Sequence, residues 1–302
     1  MITFLEHRQI DQAAWDRRLD ASVQPSWYGR STVLNAAAPG WSALVDGDTG
    51  AQMPLPGRRR YGIHYLFQPF LLQHIGPFGP VGGPAPAAQF LRALPRHFHY
   101  ADIQLQVAEL PQLPHWRTEQ RQNHVLRLDQ PAETLRAAYG TNHKRNLRKA
   151  AQLGVEAASG AGSGEVIAAL ALSDQFRRWG LRRADIAAMH RVLQASELNG
   201  TGLGYIVHSA QGPAAAAWFV RHGGSLLFLK GAATAAGRDL RAMYALIDHV
   251  VEQHAGSGLL LDFAGGNDPG LARFYTGFGA QRVLYLRALM NRLPPVVRLL
   301  KP

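Results

Sequence analysis

The sequence predicts an α/β (α+β) protein of two tandem domains, each a mixed, mainly antiparallel central sheet flanked by helices. Three observations predict it. The 302 residues fill one large domain or two of about 150. Hydrophobic residues at 47% and charged residues at 18% describe a chain with ample core rather than a disordered one. The order of elements also nearly repeats itself, before and after Pro131, which sets the expected domains at 1–130 and 131–302.

The second half carries the clearer pattern. Thr134 to Gly154 reads as a helix, and Ser163 to Leu198 as two more, broken near Trp179-Gly180. Leu203 to His208 alternates as a strand. Gln211-Gly212-Pro213 turns into a second strand at Ala215 to His222, and Gly223-Gly224 into a third at Ser225 to Lys230, a meander. Leu240, Met243, Ile247, Val250, Val251 and His254 then share one helical face. Leu259 to Phe263 has the continuous apolar character of a strand buried on both faces. Asp268 is an N-cap with Pro269 at the first helical position, so a helix runs through Phe274 and Phe278 to Gly279. Val283, Tyr285 and Arg287 form the last expected strand.

The first half is looser. A helix around Ala13 to Leu19 precedes strands at Trp41 to Val45 and Ala51 to Leu55, joined through Asp46-Gly47-Asp48. After an aromatic stretch from Tyr61 to Phe78 come a helix at Ala87 to Phe98 and an alternating strand at Ile103 to Val107. His124 to Leu128 serves as the expected crossover strand.

Helices, three-strand meander, helix, strand, helix, strand is the order of the GNAT acyltransferase fold. Particular residues sharpen the likeness. Tyr139-Gly-Thr-Asn142-His-Lys144-Arg145-Asn146-Leu-Arg148-Lys149-Ala, followed by Gly154-Val155, resembles the helix opening the second domain of the Fem-type transferases. Leu261-Asp262-Phe263-Ala-Gly265-Gly-Asn267-Asp-Pro-Gly270-Leu-Ala-Arg273-Phe274-Tyr275-Thr-Gly-Phe278-Gly279 is similar to that family's late strand, loop and helix. Gln68-Pro69-Phe70-Leu-Leu-Gln73-His-Ile-Gly76-Pro-Phe78-Gly79 is similar to the first-domain segment of a bacterial branch with tandem GNAT domains. The resemblance implies transfer of an acyl or aminoacyl group to an amine. Fem proteins take amino acids from aminoacyl-tRNA and add them to peptidoglycan precursors; other members of the superfamily use acyl-CoA. The chain departs from the pattern at two places. Phe274 is followed by Tyr275 where Fem proteins carry Lys, and the basic residue and Gly-x-Gly/Ala that bind nucleotide in GNAT enzymes are reduced to Gly231, Gly237, Arg238 and Arg241.

Composition narrows the chemistry further. With Cys 0, disulfides, thiolate zinc sites and cysteine nucleophiles are excluded. His97-Phe-His99 is too little for a zinc site, so no metal is expected. No Gly-x-Ser-x-Gly elbow, P-loop or dinucleotide fingerprint occurs, which argues against hydrolase, NTPase and nicotinamide chemistry. Lys+Arg 32 against Asp+Glu 21 gives a net charge of +11, which suits an anionic partner as well as it suits simple solubility. Glu6, His7 and Arg8 occupy the place of a signal peptide's apolar core, and no apolar run approaches the roughly 18 residues needed to span a bilayer. A soluble, cytoplasmic protein is the expectation.

The candidate residues each carry two readings. Asp262, at a strand end beside Gly265, Gly266 and Asn267, orients or deprotonates the attacking amine, or else caps the Pro269 helix or fixes the glycine loop. Tyr275 lends its hydroxyl to the leaving group, or belongs with Phe274 and Phe278 in the core. Gly231 to Arg241 follows a strand and opens a helix, so Gly231, Gly237, Arg238 and Arg241, with Lys230 at the strand end, form a donor-phosphate loop, or else a glycine-rich turn without ligand beside a snorkelling edge lysine. Tyr139, Arg145, Asn267 and Phe274 are the expected substrate-binding residues. Asn142 and Asn146 fall in the middle of an apolar stripe, as buried ties to a neighbouring loop, and Arg145, Arg148 and Lys149 face either solvent or a tRNA backbone. Arg58-Arg59-Arg60 amid Tyr61, Tyr65, Phe67 and Phe70 mixes cations with aromatics, as a nucleic-acid or sugar surface does, or marks an aromatic seam. The leading expectation is an N-acyltransferase that passes an acyl group from acyl-CoA to an amine, with no permanently bound cofactor. An aminoacyl-tRNA-dependent transferase and a non-catalytic binding protein on the same fold are the alternatives.

Overall fold

The computed structural model describes Met1–Leu293; the end of the expected second domain, 294–302, lies outside the described residues. In chain order the elements begin with β1 (Ile2–Leu5), α1 (Gln12–Asp20), α2 (Ser31–Ala37), β2 (Ser42–Asp46), β3 (Gln52–Leu55), β4 (Gly57–Arg60), β5 (Ile63–Phe67), α3 (Pro84–Arg92) and β6 (Phe98–Leu105). They continue with β7 (Trp116–Arg127), α4 (Ala132–Ala137), α5 (Thr141–Gln152), β8 (Ala157–Ser159), α6 (Ser163–Ala171), α7 (Asp174–Arg178) and α8 (Arg183–Leu198). The last are β9 (Gly202–Ser209), β10 (Gly212–His222), β11 (Ser225–Ala233), α9 (Ala235–Asp239), α10 (Ala242–His254), β12 (Leu260–Asp262), α11 (Pro269–Thr276) and β13 (Gln281–Asn291). The chain divides into two compact units, Met1–Arg121 with Leu284–Pro302, and Gln122–Val283. This division differs from a single cut near Pro131. It falls inside β7, and β13, expected to close the second domain, joins the first unit from Leu284 onward because Leu286–Asn291 pair antiparallel with Tyr100–Leu105 of β6.

In the first unit β1, β2 and β3 form a small antiparallel sheet, and β4, β5, β6 and β13 are neighbours in that order in a mixed sheet, β5 and β6 being parallel. Leu55, Leu66, Phe90, Leu91, Ile103 and Met290 share its core. The arginine run lies on β4, where the Arg58 guanidinium sits 3.9 Å from the centroid of the Phe67 ring, a cation–π pair across the hairpin. The expected helix at Ala87 to Phe98 is shorter: it ends at Arg92, before Pro95, and Phe98 already begins β6.

The second unit holds the sheet β7-β12-β11-β10-β9-β8. The meander is as expected: β9, β10 and β11 are antiparallel neighbours, and β12 returns parallel to β11 after α10 crosses over. Leu246, Ile247, Val250 and Val251 of α10 pack into a core with Phe219, Phe228, Leu261 and Phe278. The expected helix at Thr134 to Gly154 is two helices, broken at Ala138–Gly140. The break resets the helical phase, so the buried side chains of α5 are His143 and Ala150, while Asn142 is exposed and Asn146 half-buried. The expectation of two buried asparagines is thereby corrected.

Candidate active site

The second unit contains a wedge between two parallel strands. Ser225–Leu227 of β11 pair with Leu260–Asp262 of β12, and then the strands part. Strand β12 stops at Asp262 and turns into the loop before α11, whereas β11 runs on to Ala233 with, among the described residues, only β10 beside it. One edge of Phe228–Ala233 therefore faces a cavity of about 510 Å³ instead of a strand. Its walls include Gln175, Trp179, Phe228 to Ala233, Arg238 and Met243 on one side, and Phe263 to Gly265, Asn267, Asp268, Leu271, Phe274 and Tyr275 on the other.

An irregular step in β11 aims the wedge's one lysine. Phe228 pairs with Phe219 but Lys230 pairs with Trp218, which leaves Leu229 as the extra residue of a bulge. Bulges re-aim side chains, and here Phe228 stays with the α10 core while Lys230 turns toward the helices on the other face. Its Nζ lies 4.7 Å from the centroid of the Trp179 ring. The side chain is half-buried among apolar walls, and loss of water around the ammonium pushes its pKa down to about 8. Gly231 beside it permits close packing: a Cβ there would stand 2.7 Å from the Met243 methyl and the Phe228 ring.

Tyr275 is buried and stacks on Phe263, ring centroids 4.4 Å apart, and burial raises its phenol well above the ordinary value. It stays protonated and able to donate. Phe274 lines the wedge too, and its carbonyl is 2.8 Å from His143 Nε2 on α5. Asn267 is held by its side-chain oxygen, which accepts from the Gln122 amide at 2.9 Å. Lys230, Gly231, Arg238, Asn267, Phe274 and Tyr275 line one cavity.

The other candidates lie elsewhere. Asp262 is turned toward β7: its Oδ1 accepts from Asn123 Nδ2 at 2.8 Å and from the Ala264 amide at 2.7 Å, and burial raises its pKa. That is the loop-fixing alternative, and Asp262 does not line the cavity. Gly237 packs the start of α9 onto β10 so closely that a Cβ would be 1.8 Å from the Ala214 carbonyl oxygen. Around it, the loop's polar groups are largely engaged. Thr234 Oγ1 accepts from the Gly237 amide, Arg238 pairs with Asp174 at 2.9 Å, and Arg241 donates to the Arg238 carbonyl at 2.7 Å. Tyr139 is buried against Phe278, and Arg145 is exposed with its guanidinium on Asn142 Oδ1 at 2.8 Å. Tyr139 lines a separate groove of about 780 Å³ with Lys144, Arg148, Asp248 and Glu252.

Sequence reasoning passed over Trp179, read only as a helix break, and Asn123, which positions the loop through Asp262 and the Gly265 amide. It also passed over the register step that orients Lys230. A compositional signal marks that residue: of the 32 basic residues only 144, 149, 230 and 301 are lysines.

Residues 137–270 match the family model of the acetyltransferase (GNAT) domain, which includes most of the wedge. No protein of curated function matches the sequence significantly. Solved structures resemble the whole chain. A crystal structure of FemX aligns over 97% of this chain and 99% of its own with a TM-score of 0.62 at 11% identity. The C-terminal domain of a putative lysylphosphatidylglycerol synthetase from Agrobacterium fabrum aligns over 96% and 95%, TM-score 0.54, at 11% identity. A tandem GNAT protein from the clavulanic acid biosynthesis pathway aligns over 97% and 99%, TM-score 0.52, at 11% identity. Residues 137–270 thus resemble a GNAT acetyltransferase domain, and the whole chain has the fold seen in FemX and in the tandem GNAT protein.

Proposed function

We propose that this protein is an N-acyltransferase that moves an acyl group from acyl-CoA to an amine by direct attack. The observation that carries this reading is the open edge of β11 along the wedge. An extended arm bearing amides, such as the pantetheine of a coenzyme A thioester, adds to such an edge as a further strand. Its acyl carbonyl then reaches the cavity that Lys230 and Tyr275 share. The acceptor nitrogen attacks that carbonyl, the C–N bond forms, and the C–S bond breaks. Edge amides of β11 and the Lys230 ammonium stabilise the oxyanion, the Tyr275 hydroxyl protonates the departing thiolate, and the proton shed by the acceptor nitrogen restores the phenol. Phe274 and Asn267 border the acceptor's side of the cavity. The chemistry needs neither a metal nor a resident cofactor.

In this reading Arg238 and Arg241 bind the donor's phosphates after exchanging Asp174 and the Arg238 carbonyl for them. Coenzyme A and its thioesters are cytoplasmic, which makes the cytoplasm the proposed compartment. Among the described residues no helix is long and apolar enough to cross a membrane.

Thiol release from acetyl-CoA, followed over a panel of amino sugars, peptidoglycan precursors and free amino acids, tests the function. Acceptor-dependent release supports it; tight binding of anionic ligands with no turnover of any acceptor favours a binding protein instead. One observation favours an aminoacyl-tRNA donor: α5 presents exposed Lys144, Arg145, Arg148 and Lys149 with no acidic residue in Thr141–Gln152, a face suited to a phosphate backbone.

A further inference from the structure

Resting on the reading of the wedge as the acyl site, we propose that Lys230 is itself an acyl acceptor. With no amine substrate present, its Nζ takes the acyl group from a thioester in the wedge and becomes an Nε-acyl-lysine. The geometry comes from the β11 bulge, which turns the side chain out of the α10 core and into the cavity, where Trp179 flanks its amine. The same cavity is bordered by the open strand edge on which a thioester arm would lie.

The step balances without a further reactant. The neutral amine attacks the thioester carbonyl, a C–N bond forms, the C–S bond breaks, and the thiol leaves with the amine's proton. The surroundings supply the neutral amine. Charged groups on elements that contact β11 include Glu165 of α6, Asp174 and Arg177 of α7 and Arg238 of α9, and Asp268 and the neutral Tyr275 hydroxyl line the cavity. Loss of water around the ammonium lowers the lysine to about 8. At pH 8 about half of such amines are neutral, against a few per thousand for a lysine near 10.4. An arginine at this position would stay protonated and inert. Acylation removes the ammonium that stabilises the oxyanion and fills the cavity, so the product is a protein that its own donor has switched off.

The test uses the full chain with acetyl-CoA and, separately, the truncated thioester S-acetyl-N-acetylcysteamine, at pH 8 without acceptor. Peptide mapping then compares the four lysines. Lys230 is expected to acquire acetyl about tenfold faster than exposed Lys144 and Lys149, the gain in neutral amine being partly offset by lower nucleophilicity. K230R, with its melting temperature checked, is expected to lose that modification and no other. Calorimetry reads acetyl-CoA binding independently. Binding with Lys230 modified no faster than Lys144 and Lys149 overturns the proposal and leaves the proposed function standing. Rapid modification of Lys230 by the truncated thioester without binding of acetyl-CoA upholds the proposal and removes coenzyme A as the donor. Equal, slow modification of all lysines in unbound protein overturns both.

Discussion

Replacing Lys230 with methionine should make the protein more stable, and the size of the gain can be worked from the structure. Burial lowers the lysine from 10.5 to about 8. At about 1.4 kcal/mol per pH unit, the folded state at neutral pH bears a cost of roughly 3 kcal/mol for keeping this ammonium charged. Residual contact with water reduces it to roughly 2–3 kcal/mol. Methionine has nearly the same length, fills the space beside Trp179 and has no charge to desolvate. The pH dependence follows from the sign of the shift. Below about pH 8 the lysine is protonated whether folded or unfolded, and the full cost is present. Between 8 and 10.5 the unfolded chain binds more protons than the folded one, so the wild-type protein gains stability with rising pH and the advantage of Lys230→Met shrinks. Urea unfolding of both proteins at pH 7, 8, 9 and 10 measures it. A variant no more stable than wild type at pH 7, or a difference that stays constant to pH 10, would refute the desolvated-amine account. Such a gain with loss of acyl transfer is the usual mark of a functional residue held at the expense of stability.

Other outcomes follow from the same geometry. Asp262→Ala should destabilise by about 3 kcal/mol or more, since it strands the buried Asn123 and Ala264 donors, whereas Asp262→Asn keeps an acceptor and should leave thioester turnover within a few-fold; a large rate loss in a stable Asn variant would return Asp262 to the catalytic role. Gly237→Val should cost about 2 kcal/mol or more in unfolding experiments, because its side chain meets the Ala214 carbonyl; an unchanged midpoint would show that α9 can move. Arg238→Ala with Arg241→Ala should weaken acetyl-CoA at least about tenfold by calorimetry, and unchanged affinity removes this loop from the donor site. If tRNA is the donor, filter binding should fall steeply with salt and weaken in Arg145→Ala/Arg148→Ala/Lys149→Ala; no retention at low salt leaves α5 a solvated face.

The second unit was readable from local signals because each was independent of tertiary context. Gly223-Gly224 fixes a hairpin, Asp268-Pro269 a helix start, and the alternation of Leu203 to His208 a strand. Long-range pairings were not readable. Nothing around Val283 to Arg287 announces that β13 pairs with β6, some 185 residues away along the chain between Arg287 and Asp102. The asparagine stripe failed for a local reason, since Gly140 interrupts the helix and shifts the buried face to His143. At the site, six of the candidate residues line the cavity, while Asp262, Gly237, Arg241, Tyr139 and Arg145 do not. Which way Asp262 and Lys230 point depended on an Asn123 partner in a distant strand and on one extra residue at Leu229, and neither leaves a periodic trace. The charged loop from Gly231 to Arg241 looked open in sequence because its partners, Asp174 and Ala214, are supplied by other elements.

The central claim is that a thioester donor lies along the open edge of β11. Amide hydrogen exchange across the chain, with and without saturating acetyl-CoA, tests it directly. The account predicts new protection concentrated in Phe228–Ala233, and in the Ala264–Asn267 loop that faces it across the cavity. Saturation by calorimetry with protection on α5 or in the first unit, and none in Phe228–Ala233, would contradict it.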